Sequence, residues 1–186
     1  MHVHAALFSG WIILLITQTS LIAAHLVDLH RRLGLFGFGL ACLMVPVTLA
    51  AICAEMVRLS PRLPWGQVAD ITVFAILIYF AYRQRRNPAT HKRLMLIATI
   101  TLLDAPIARW PFLPRSQYDL PNMCCFFLLL LIAGYDLLST GRVHRATLWG
   151  AALSIASKYP VSYLLSRHIR ADQLTHSMQA LGHFLR

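Results

Sequence analysis

Three short segments of the chain pair a histidine with basic residues directly before a long apolar run. They are residues 30–33 (HRRL), 91–94 (HKRL) and 144–148 (HRATL). An imidazole can ligate a metal or haem, and a guanidinium can bind a phosphate or a carboxylate. If the apolar runs cross a membrane, all three histidines lie at one membrane face, so these segments predict a shared site for haem or for an anionic ligand.

Carboxylates lie close to two of these histidines in the sequence. Asp28 follows His25 by three positions on one predicted helix face, and Asp136 ends an apolar run on the same side. A carboxylate commonly orients a metal-bound imidazole. Interfacial anchoring, with lipid phosphate bound at a helix N-terminus, fits the same residues, as does binding of another metal. The candidate ligand-binding residues are His25, Asp28, His30, Arg32, His91, Arg93, Asp136 and His144.

The composition is that of a membrane protein. Of the 186 residues, 58% are hydrophobic and 13% are charged, against about 25% charged in soluble domains. The first run lacks the basic start and small-residue cleavage site of a secretory signal. We predict an all-α bundle of six membrane helices in three hairpins, as one domain over residues 1–165 with an amphipathic tail over 166–186. The runs are 6–27, 33–57, 68–82, 94–110, 122–138 and 147–165.

The basic residues predict the orientation. Nine fall in the loops before runs two, four and six, against four (Arg58, Arg62, Arg109 and Arg115) after runs two and four. Such an excess marks the cytoplasmic side, so both termini are expected outside a bacterial inner membrane. With this orientation, the net charge of +10 predicts contact with membrane lipids and no binding of nucleic acid. A second copy of the chain and another membrane protein are the further partners that the sequence leaves open. The nine are Arg31, Arg32, Arg83, Arg85, Arg86, Lys92, Arg93, Arg142 and Arg145.

Three polar residues are expected inside the membrane: Gln18, Asp104 and Arg109. Asp104 should lie about three turns into run four, where an ionised carboxylate costs several kcal/mol unless it is paired. Arg109 is an imperfectly aligned partner, and Gln18 or a hydroxyl on another helix is the alternative. Gln18 itself is expected to hydrogen-bond across helices.

Four stretches resemble a group of bacterial multi-pass membrane proteins that have no assigned activity. They cover residues 3–11, 29–34, 91–99 and 135–150. The resemblance implies an inner-membrane protein in which His4, Gln18, His30, His91, Arg109, Asp136 and His144 matter. A looser likeness to membrane cytochromes b and ferric-reductase-like bundles implies haem on His30 and His91, although those proteins hold their histidines inside facing helices and not at helix ends.

The function expected from these residues is a non-catalytic binding or interaction role at the inner face. The ligand is anionic or hydrophobic: a lipid, a quinone or haem. No catalytic residue and no other cofactor or metal is predicted, because nucleotide-binding, hydrolase and metalloprotease motifs are missing from the sequence. The alternatives are a small haem electron carrier and a component of a proton-coupled transporter, with Asp104, Gln18 and Lys158 on its polar path.

Overall fold

The computed structural model describes residues 2–58, 64–111 and 119–158, and the regular structure within these ranges is entirely helical. The all-α fold class is therefore confirmed. The helices are α1 (His2–Ala23), α2 (Val27–Arg58), α3 (Trp65–Arg83), α4 (Pro88–Thr101), α5 (Asp104–Ala108), α6 (Leu120–Thr140) and α7 (Arg145–Ala156).

Four helices are long and apolar enough to cross a membrane. They are Val3–Ala23, Val27–Met56, Trp65–Arg83 and Leu120–Thr140. Their outward faces expose large apolar side chains, for example Leu138 (92%) and Phe36 (77%), which lipid covers without cost. Helices α4 and α7, with 14 and 12 residues, are shorter than the roughly 20 residues of a full span. Of predicted run six, residues 159–165 lie outside the described residues.

The described helices fall into two compact units. Unit 1 contains α1 and α2, and unit 2 contains α3 to α7; each is described by itself. The predicted tail, residues 166–186, lies outside the described residues. The single domain expected over residues 1–165 stays a prediction.

Unit 1 is an antiparallel hairpin. Its tight turn places His25 at φ 60°, a left-handed conformation in which histidine is enriched among non-glycine residues. Helix α2 continues through Pro46. A Cβ atom on Gly37 would lie 3.0 Å from Leu14 Cδ2, so the absence of a side chain lets the two helices approach closely. This close contact matters because lipid gives apolar helices no hydrophobic reason to associate.

Unit 2 is built around α4, which packs against α3, α6 and α7. Its core includes the fully buried side chains Phe74, Leu77, Leu94 and Ile97. Helix α7 approaches α4 closely at Gly150, where a Cβ atom would lie 3.1 Å from Ile97 Cδ1. Antiparallel neighbours give the unit two ends. One holds the α3–α4 and α6–α7 connections, and the other holds α5 and the end of α7.

The predicted continuous helix over residues 94–110 is wrong. Helix α4 ends at Thr101, and α5 begins at Asp104. Pro106 explains the break, since it has no N–H to donate to the carbonyl of Leu102 and its ring crowds that carbonyl. Asp104 therefore lies in the first turn of a short second helix, at the opened end of α4, and not three turns inside a continuous one.

Candidate functional site

Backbone and side-chain caps order the connection end of unit 2. Asn87 Oδ1 accepts from Thr90 N at the start of α4 (3.3 Å), and His144 Nδ1 accepts from Ala146 N at the start of α7 (3.1 Å). His91 Nδ1 lies 2.9 Å from the carbonyl oxygen of Ala81. The structure thus brings His91 and His144 to the same end of unit 2, and each is engaged with backbone there.

A buried ion pair joins α4 to α6 at this end. Arg93 donates through both Nε (2.9 Å) and Nη2 to Asp136 Oδ1. The second carboxylate oxygen of Asp136 accepts from Thr147 Oγ1 and from His144 N. The side chains of Arg93 and Asp136 are 6% and 0% exposed. One guanidinium faces one carboxylate, so the charges balance, and four donors satisfy the two oxygens. The network therefore fastens α4, α6 and the start of α7 together.

Exposed cations surround this buried pair. Asp136 is the only acidic residue in the described part of this end, and it is buried, so no exposed carboxylate there neutralises the exposed cations. An open cleft of about 360 Å³ is lined by residues 83–86. We call this end, with its exposed cations, the basic end. These cations are Arg83, Arg85, Arg86, Lys92, Arg142 and Arg145.

Aromatic rings lie under two of these cations. The Arg85 guanidinium is 4.4 Å from the centroid of the Tyr82 ring, and Lys92 Nζ is 5.2 Å from that of Tyr135. Tyrosine is, with tryptophan, enriched at membrane–water interfaces. Cation–π contacts leave the outward side of each cation open to a negatively charged group.

The opposite end of unit 2 holds a second buried charge cluster. Lys158 Nζ lies 3.2 Å from Asp70 Oδ2, 3.2 Å from Asp104 Oδ2 and 3.2 Å from the carbonyl oxygen of Thr101. The side chains of Lys158, Asp70 and Asp104 are 4%, 8% and 26% exposed. The ammonium therefore connects α3, the end of α4 and α5. Through Asp104, it attaches α5 to the rest of unit 2 after the break in the helix.

Hydroxyl groups complete this cluster. Ser157 Oγ donates to Asp70 Oδ1 (2.9 Å), and the hydroxyls of Thr101 and Ser154 share a hydrogen bond of 2.7 Å. The predicted pairing of Asp104 with Arg109 is wrong, because Asp104 pairs with Lys158. Arg109 is exposed and donates to the carbonyl of Ala105 (2.8 Å).

Asp70 was not among the residues expected to carry chemistry. It lies in the second turn of a helix long enough to span a membrane. The signal that points to Asp104 in the sequence is a carboxylate inside an apolar run. The same signal applies to Asp70. The partner of either carboxylate is not visible in the sequence, since Lys158 is 88 positions from Asp70.

In unit 1, Gln18 makes the predicted contact between helices. With its amide oriented to match its neighbours, the nitrogen donates to His30 Nδ1 and to the His30 carbonyl oxygen (3.2 Å), and the oxygen accepts from Gly34 N (2.9 Å). His25, Asp28 and Arg32 are exposed at the α1–α2 turn and the start of α2.

The ring nitrogens of His30 and His91 differ in their roles. A carbonyl oxygen only accepts, so Nδ1 of His91 carries a proton, which is the usual tautomer of a histidine that binds metal through Nε2. Nδ1 of His30 accepts from Gln18, which places the proton of a neutral ring on Nε2. His30 belongs to unit 1 and His91 to unit 2, and haem ligation by this pair stays a prediction.

Among the described residues, no group of three or more His, Cys, Asp or Glu side chains is placed to hold a metal ion. Comparisons of the chain with protein-family models, with curated proteins and with solved structures find no match.

Proposed function

We propose that the protein is a non-catalytic membrane protein that binds anionic lipid headgroups at the basic end of unit 2. The proposal rests on one observation. Six exposed cations lie at that end, and the only acidic side chain in its described part is buried against Arg93. Of the four described carboxylates in unit 2, Asp70, Asp104 and Asp119 lie toward the other end. The charge is therefore separated along the helices.

The expected strength of this attraction is considerable. A lysine or arginine close to an anionic membrane surface contributes about 1 kcal/mol, and the effect fades within a Debye length of about 8 Å at physiological salt. The six cations lie in the two connections of this end or within two turns of them. The exposed turn over residues 83–86 carries three arginines and a glutamine, and this composition favours a phosphate headgroup over an apolar quinone.

The same separation of charge gives the proposed orientation. Loops rich in Arg and Lys stay on the cytoplasmic side, which places the basic end inside and the Asp70–Asp104 end outside. In the proposed six-helix topology, the predicted runs 94–110 and 147–165 form the two further crossings. The resemblance to bacterial inner-membrane proteins supports this location, with the N-terminus outside.

Competition with a labelled anionic lipid tests the proposal. In detergent, we expect the triple variant Arg83→Gln, Arg85→Gln, Arg86→Gln to bind phosphatidylglycerol about 100-fold more weakly, because about 3 kcal/mol corresponds to two decades of affinity. Arg109→Gln is the matched control, since it removes an exposed arginine at the opposite end, and its affinity should not change. Equal affinity of the triple variant and the wild type would refute the proposal.

A component of a proton-coupled transporter is the second candidate. The observation that favours it is the Lys158 cluster at the break between α4 and α5, since broken helices with buried charges line the ion sites of many transporters.

A further inference from the structure

The buried cluster at the outer end of unit 2 has unequal numbers of positive and negative groups. One ammonium, on Lys158, faces two carboxylates, on Asp70 and Asp104, each at 3.2 Å. If both carboxylates were ionised, the cluster would carry one net negative charge. All three side chains are largely shielded, and Asp70 lies within a helix that is long and apolar enough to span a membrane. An uncompensated charge in such surroundings is strongly disfavoured.

No second cation in the described part of unit 2 compensates this charge. The neighbouring α4 and α7 contribute the hydroxyls of Thr101, Ser154 and Ser157. Helix α6 contributes only the thiols of Cys124 and Cys125 as titratable groups near the cluster. On α5, the exposed Arg109 donates to the Ala105 carbonyl. Every described element around the cluster is thus accounted for, and Lys158 is its single positive charge.

We infer that this cluster binds one exchangeable proton, which the carboxyl groups of Asp70 and Asp104 share. Each carboxyl group pairs with the single ammonium of Lys158, and Asp70 also accepts a hydrogen bond from Ser157. At 26% side-chain exposure, against 8% for Asp70, Asp104 is the carboxyl group through which the proton exchanges with water. The proton and Lys158 together balance both carboxylates.

A proton fits this place better than a sodium ion does. A hard metal cation needs about six oxygen ligands, whereas here the Lys158 ammonium already occupies the space between Asp70 Oδ2, Asp104 Oδ2 and the Thr101 carbonyl. The described residues also hold no group of three candidate metal ligands. A proton needs a single carboxyl oxygen and displaces nothing.

Loss of this proton changes what holds the broken helix. With the proton bound, one negative charge faces the Lys158 ammonium, and α5 is held against the body of unit 2 through Asp104. With the proton released, two carboxylates compete for one ammonium, and repulsion between them pushes α5 away from α3. Proton exchange at the cluster is therefore coupled to the contact between α5 and the body of unit 2. This inference is independent of lipid binding at the basic end.

Infrared spectroscopy of the full chain in lipid tests the inference, because a protonated carboxyl group has a carbonyl stretch that a carboxylate lacks. At neutral pH, the wild type should show the band of one buried protonated carboxyl group, which shifts in heavy water. Asp104→Asn and Asp70→Asn should each abolish it, since one carboxylate then matches one ammonium. Asp28→Asn, which changes an exposed carboxylate of unit 1, should leave the band unchanged.

Removal of the ammonium should act in the opposite direction. Lys158→Met should double the band, because two carboxyl groups then lack a cation. If Lys158→Met does not fold, the double variant Lys158→Met, Asp70→Asn leaves Asp104 alone and should restore the band of one group. A wild type without the band, a band that survives in both Asn variants, or a band that appears only when sodium is replaced by choline would overturn the inference.

Discussion

Asp136→Asn is expected to destabilise unit 2 by about 3–5 kcal/mol, the usual cost of removing one partner of a buried ion pair. The substitution keeps the shape of the side chain, so the loss measures charge and hydrogen bonding rather than a cavity. Asparagine has one acceptor oxygen where aspartate has two, and its amide nitrogen would face the donors from Arg93, Thr147 or His144. Reversible unfolding in mixed detergent micelles measures the change.

Two further variants serve as controls for the destabilisation by Asp136→Asn. Asp28→Asn makes the same change at an exposed position in the first turn of α2 and should alter stability by less than about 1 kcal/mol. The triple variant Arg93→Met, Asp136→Leu, Thr147→Val removes the whole network at similar volume. It should recover most of the loss, apart from about 1–3 kcal/mol for the unpaired His144 N–H. An Asp136→Asn protein as stable as the Asp28→Asn control would contradict the described network.

Lys158→Met is expected to have an effect of similar size, about 3–5 kcal/mol, at the other end of unit 2. Methionine fills much of the space of the lysine stem but leaves Asp70, Asp104 and the Thr101 carbonyl without their shared donor. Because α5 follows a break in the helix, loss of this donor should also loosen residues 104–108. Thermal unfolding in detergent and amide hydrogen exchange of this segment are the measurements.

Neutralisation of both carboxylates separates charge from packing in this case. Lys158→Met combined with Asp70→Asn and Asp104→Asn should be markedly more stable than Lys158→Met alone. Arg109→Gln, at an exposed cation five positions from Asp104, should change stability by less than about 0.5 kcal/mol. If the triple variant is no more stable than Lys158→Met, the ammonium does not act through the two carboxylates, and the cluster has a different basis.

Apolar periodicity and charge position predict much of the architecture. The apolar runs correctly predict helices α1, α2, α3 and α6, because a helix in lipid needs an uninterrupted apolar stretch, and such a stretch can be recognised directly in the sequence. The alternation of more and less basic loops predicts which helix ends lie together in unit 2, and the contacts that join Arg93, Asp136 and His144 are at one such end.

The pairing within the polar clusters could not be predicted from the sequence. Asp104 was expected to depend on a neighbour along its own helix, but the Pro106 break turns the chain and exposes Asp104 to Lys158, 54 positions later. Arg93 was expected to contact a ligand at the membrane face, whereas it points inward to Asp136, 43 positions away. Long-range partners of this kind depend on helix rotation, which the weak amphipathicity of membrane helices does not fix.

The most direct test of the account is the sidedness of unit 2 in cells. In a background without native cysteines, single cysteines replace Arg86 and Arg142 at the basic end, or Trp110 at the opposite end; all three positions are exposed. A membrane-impermeant maleimide added to intact spheroplasts should label the Trp110→Cys protein, and it should label the other two proteins only after permeabilisation. Labelling of Arg86→Cys and Trp110→Cys from the same side would contradict a unit that crosses the membrane with its basic end inside.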